Sequence, residues 1–132
     1  MNLIYAVLLL ASPTAPATDS AVVARRVAAS AQLAAQEYRI GVVGGKIVAA
    51  AEVEEARLFL NEAIRSAKLL PAIAAGPTVA GLERALGFVE RTGAPDSVDL
   101  AVRQLTDALA SSLQVVLVEM PERTPSLARG RE

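Results

Sequence analysis

The chain has 132 residues, 53% of them hydrophobic, which is enough for one real core and too short for two. Thirteen Lys and Arg against fourteen Asp and Glu leave a net charge of −1, so there is no electrostatic footprint for nucleic acid and no polybasic membrane contact. With neither cysteine nor histidine there can be no disulfide, thiolate metal site, covalent haem attachment or His-dependent nucleophile, and the reading is of a protein that is not an enzyme.

Leu3 to Ala11 is a short apolar run, followed by Ser-Pro-Thr and then Ala15-Pro16-Ala17. This reads as a signal peptide over residues 1–17, cut after Ala17, and hence as a periplasmic mature protein. The run is about half the ~20 residues a membrane span needs. Its n-region lacks Lys or Arg, and a buried N-terminal strand or helix turn is the alternative.

Four amphipathic helices are expected between residues 18 and 119. The first opens at Thr18 or Asp19 as cap and carries the stripe Val23, Val27, Ala31, Ala34 and Tyr38, with Gly41 as a left-handed stop. Val42 to Val48 is strand-like around Gly44-Gly45, a tight-turn signal. It is no phosphate loop, because Ile40 stands where the first glycine belongs and Ile47 where Ser or Thr does.

The second helix is expected from about Ala49 to Leu70, with Val53, Ala56, Leu60, Ala63, Ile64 and Ala67 inward and Pro71 at its end. The third runs from Pro77 or Thr78 to about Thr92, with Val79, Leu82, Leu86 and Val89 inward and Gly93 as stop. Gly81 and Gly87 in it each cost roughly 1 kcal/mol of propensity, tolerable where a neighbouring helix crosses closely. The fourth opens at Pro95-Asp96-Ser97 and carries Val98, Val102, Leu105, Leu109, Leu113 and Val116. The fold class is therefore all-α, an antiparallel four-helix bundle with a short Gly-Gly turn between helices 1 and 2. Residues 120–132, with Pro121, Pro125 and a capping Ser126, read as a linker toward an absent domain.

The candidate chemistry lies beside the Gly-Gly turn. Glu37 and Tyr38 end the first helix, while Glu52, Glu54 and Glu55 begin the second. Folding those ends together would gather oxygens suited to a hard cation, and a tyrosine would favour iron(III). Glu37, Tyr38, Glu52 and Glu55 are thus the candidate metal residues, with an iron ion as cargo and no resident cofactor. The structural reading of the same residues is the stronger: glutamates in a first turn complement the helix dipole, and a terminal tyrosine closes a core.

Gln32-Leu-Ala-Ala-Gln-Glu-Tyr-Arg-Ile-Gly-Val42, Gly45-Lys-Ile-Val48 and Glu52-Val-Glu-Glu-Ala-Arg-Leu-Phe-Leu-Asn-Glu-Ala63 together resemble the exported N-terminal helical region of bacterial iron permeases of the cytochrome c/ferric iron transporter type, in the iron/lead transporter family. The tail from Pro125 to Glu132 is similar to the run-in to the cytochrome of those proteins. The resemblance covers roughly Val22 to Ala67 and the tail. It implies a periplasmic accessory module whose partners are an iron permease membrane domain and a c-type cytochrome domain. This chain departs from the family in having no haem motif, no membrane helix and no Arg-Glu-x-x-Glu permease motif. Two roles stay open at this level: iron presentation or protein interaction within an iron-uptake system, and a structural bundle with no ligand. Neither the oligomeric state nor the partner is legible.

Overall fold

A computed structural model describes residues 15–114 and Leu117. It is an all-α bundle of four helices: α1 (Ala15–Gly41), α2 (Ala50–Ala67), α3 (Ala72–Glu90) and α4 (Pro95–Leu113). Between α1 and α2 lies a miniature hairpin of β1 (Val42–Val43) and β2 (Lys46–Ile47), paired antiparallel with Val42 opposite Ile47 and Val43 opposite Lys46. Each helix packs on the next and α1 closes the ring against α4, with α1 and α2 sharing the largest interface. Residues 1–14 and 120–132, which hold most of the expected leader and all of the expected linker, lie outside the described residues.

The expected stripes form the core because a 3.6-residue period puts them on one side of each helix. Val27, Ala31, Ala34 and Tyr38 of α1 are buried, as are Val53, Ala56, Leu60, Ala63 and Ala67 of α2. Leu82 and Val89 of α3 meet Val98, Val102, Leu105 and Leu109 of α4 in the same cluster. Val23, Ile64, Val79, Leu86 and Leu113 are only partly buried against it. Val116 falls outside the described residues. Alanines dominate the α1 side of the core, so α1 and α2 approach closely and Tyr38 is the largest fully buried side chain among the described residues.

Several expected boundaries move. Thr18 and Asp19 lie inside α1 rather than capping it, since the helix begins at Ala15. The third helix starts at Ala72, and Pro77 sits within it. Pro71, expected only as the end of the second helix, is the N-cap of the next: its carbonyl accepts from Ala74 and Ala75 N–H, both at 2.9 Å. The alanine-rich stretch after it then propagates helix at once. Thr78, expected as a helix start, is buried in mid-helix. α2 closes at Ala67, and tighter turns, Leu69 N–H to Ser66 and Leu70 N–H to Ala67, carry the chain to Pro71. At α4 no side chain caps the helix: Ala94 is the N-cap, Pro95 takes the first position, and Asp96 faces the positive end of the dipole.

The glycines divide by cause. Gly44 and Gly45 have φ of 60° and 77°, the two positive values a type I′ hairpin turn requires. Gly41 is not left-handed. It is needed because a Cβ there would sit 2.7 Å from Val53 Cγ2 and 3.0 Å from the Ala49 carbonyl oxygen. Gly81 marks the close α3–α4 crossing, where a Cβ would come within 2.8 Å of Leu105 Cβ. Gly87 faces its own helix's Arg91 guanidinium rather than a neighbouring helix.

Candidate functional site

The end of the bundle that carries the hairpin is the most constructed part of the molecule. Its first component is the α3–α4 connection. Gly93 N–H donates to Phe88 O at 2.7 Å and Thr92 N–H to Val89 O at 3.2 Å, the pair of bonds that defines a Schellman ending. The left-handed position of that motif is Thr92, at φ 53°. Gly93 follows it, its missing Cβ leaving room for Phe88.

Tyr38 reaches this connection from α1. Its ring is fully buried, and its hydroxyl donates to the Gly93 carbonyl at 2.5 Å, tying residues 55 apart in sequence. That bond occupies the phenol. Burial also pushes the Tyr38 pKa upward, because the phenolate would lose hydration. Both effects hold the group neutral.

Arg39 adds a surface clasp beside the buried tie. Its Nη2 donates to Asp96 Oδ1 at 2.6 Å and also to Asp99 Oδ2, while its Nε reaches Asp99 Oδ2 at 3.1 Å. The hydrogen bond from Arg39 holds the Asp96 carboxyl below the usual carboxylate range, helped by the charge of the same guanidinium. The two Asp side chains push the Arg39 pKa further up. A basic group in the last turn of α1 thus meets acids at the start of α4, as each helix dipole prefers. An open cleft of about 480 Å³ lies between α1 and α4 along this pair, lined by Gln32, Gln36, Arg39, Asp99 and Arg103 among others. A second, of about 320 Å³, lies between the hairpin and the start of α4, reached by Val43, Gly44, Pro95 and Asp96.

Above these anchors the hairpin carries aliphatic side chains in water. Val43 is 60% exposed, Ile47 51% and Val48 62%. The backbone under them is fixed: Val48 and Ala49 N–H both donate to Gly41 O, at 2.8 and 3.2 Å.

The candidate metal residues are distributed rather than gathered. Tyr38 points across the bundle to Gly93. Glu37 is half-buried on α1, Glu52 half-buried in the first turn of α2, and Glu55 exposed one turn on. Glu54 pairs with Arg57. Among the described residues no three acidic side chains form a group able to hold a metal ion. Tyr38 lies in the core with its hydroxyl on the Gly93 carbonyl, the place the structural reading of this residue expects. Sequence reasoning missed the Arg39–Asp96–Asp99 clasp and the exposed tip. Arg39 at a helix end, followed by a turn flanked with valines, was the available signal.

No described helix is long and apolar enough to cross a membrane. The family model described as the iron permease-associated 4-helix bundle domain matches residues 13–117. No curated protein matches the chain, and no solved structure does.

Proposed function

This chain belongs to the iron permease-associated 4-helix bundle domain family, and from that premise we propose that it acts by contact, docking on an iron permease through its hairpin tip. The observation that carries the proposal is the trio Val43, Ile47 and Val48, exposed on a hairpin with little freedom to lose. Exposed aliphatic clusters mark interaction surfaces. A tip already held by the Gly41 approach, the Tyr38–Gly93 bond and the Arg39 clasp spends little ordering entropy on binding. The permease membrane domain is the partner proposed, with a c-type cytochrome domain as its neighbour in the same assembly. The apolar run from Leu3 to Ala11, read as an export leader, supports a contact on the periplasmic side. Iron passes as cargo of the permease and is not routed through Glu37, Tyr38, Glu52 and Glu55.

The test is iron uptake by cells that depend on this chain. Val43→Asp with Val48→Asp should cut uptake several-fold, while Leu58→Asp, an exposed position on α2, should leave it unchanged. Both variants should unfold within about 0.5 kcal/mol of the parent, as surface substitutions do. Full uptake with the altered tip overturns the proposal. Calorimetric titration with ferric citrate separates the rival reading: saturable heat abolished by Glu52→Gln with Glu55→Gln would make the chain an iron presenter instead.

A further inference from the structure

A second surface lies along α1, on the side away from the core. Val22, Ala29, Leu33 and Ile40 are all exposed, at spacings of seven, four and seven residues. At about 100° per residue they fall within about 20° of a single line. The buried residues Ala24, Val27, Ala31, Ala34 and Tyr38 occupy the opposite side of the same helix. α1 therefore has two apolar stripes, of which only one is buried among the described residues. An outer stripe with this near-heptad spacing is the seam of a helix pair.

The order of residues along the seam identifies the occupant. Read from Ala31 as midpoint, the stripe is self-complementary: Val22 mirrors Ile40, Ala29 mirrors Leu33, and Arg26 mirrors Gln36, with Glu37 one step beyond. Arg26 and Glu37 flank the same edge of the stripe, about 40° and 60° from its line. In a two-fold pair of antiparallel helices, residues on the same edge face one another. Arg26 of one copy then lies level with Glu37 of the other, twice over. Neither residue takes part in the ion pairs among the described residues. A parallel pair would instead leave Arg26 of one copy and Glu37 of the other eleven residues apart along the seam, about 16.5 Å of rise.

We propose that the outer stripe of α1 is an antiparallel, two-fold interface with a second copy of this chain, centred near Ala31. Eighteen residues separate Val22 from Ile40, about 27 Å of helix. A single helix pair of that length is at the small end of specific interfaces, so the dimer is expected to dissociate on dilution. The interface goes beyond the docking role of the hairpin tip and does not depend on it.

The absence of cysteine makes the test clean. Sedimentation velocity from about 1 to 500 μM should show a monomer–dimer equilibrium. Leu33→Glu and, separately, Arg26→Glu should each weaken it at least tenfold. Arg26→Glu with Glu37→Arg should return to within about threefold of the parent. Val22→Cys and Ile40→Cys chains should remain uncrosslinked when oxidised alone and form a disulfide dimer when mixed. A monomer at every concentration, a dimer indifferent to Leu33→Glu, or Val22→Cys crosslinking to itself overturns the proposal. Circular dichroism of each variant shows that the helices persist, so loss of fold is not mistaken for loss of the interface.

Discussion

Two connections turn the chain at the same end of the bundle, and both use left-handed residues, yet they do opposite things. Between α1 and α2 the left-handed positions are Gly44 and Gly45, with open space around them. The turn carries exposed aliphatics outward. Between α3 and α4 the left-handed position is Thr92, a β-branched residue for which that conformation is costly. It is held there by the two Schellman bonds and by the Tyr38 hydroxyl on Gly93. One connection is relaxed and presents a surface. The other is strained and hydrogen-bonded into the fold, and anchors the first through Tyr38 and Arg39. Strain appears where the fold needs a fixed point, and freedom from it at the turn that presents the exposed aliphatics.

Substitutions can sharpen or break this contrast, and urea unfolding measures each. Gly41→Ala should be the most damaging, at about 3 kcal/mol, because the new methyl meets Val53 and the Ala49 carbonyl at the base of the hairpin. A cost under 1 kcal/mol would mean that the hairpin is not pressed against α2. Tyr38→Phe should cost about 2 kcal/mol by leaving the Gly93 carbonyl without its donor. Gly44→Ala and Thr92→Gly form a mirrored pair. The first should destabilise by about 1.5 kcal/mol, since alanine resists φ 60° even in open space; the second should stabilise by about 1 kcal/mol by relieving threonine. The same sign for both would erase the distinction between the connections.

The smallest effect is electrostatic. Asp96 has its pKa lowered by Arg39, so its contribution to stability is present above the ordinary carboxylate value near 3.9 and is lost as pH falls through the depressed one. The stability gap between the parent and Asp96→Asn should therefore be constant near neutrality and close below about pH 4. A gap that widens on acidification would contradict the clasp.

What could be read beforehand follows from which interactions are local. The inner stripes of α1, α2 and α4 were legible because burial imposes a 3.6-residue period on them, and the I′ turn because Gly-Gly between valines has few alternatives. Pro77 misled because a proline one turn into a helix looks the same in sequence as one that starts it. Gly41 reads as a left-handed stop and Gly93 as a helix stop. Their real constraint is a close neighbour, at Gly41 the α2 side chain Val53, which no local pattern reveals. Thr92 carried the left-handed turn against its own preference, so propensity pointed away from it. Tyr38 stands out in the sequence, but its partner lies 55 positions away, and with it the choice between a ligand and a tie. The clasp from Arg39 to Asp96 and Asp99 was hidden for the same reason.

The claim that this iron permease-associated bundle works through its hairpin end is tested most directly by photo-crosslinking from Val43, compared with Ile73 at the start of α3, in membranes containing the permease. Both positions are exposed aliphatics, so any difference reports location rather than chemistry. The account predicts an adduct with the permease from Val43 and none from Ile73. An adduct from Ile73 alone, or equal yields from the two, would contradict it.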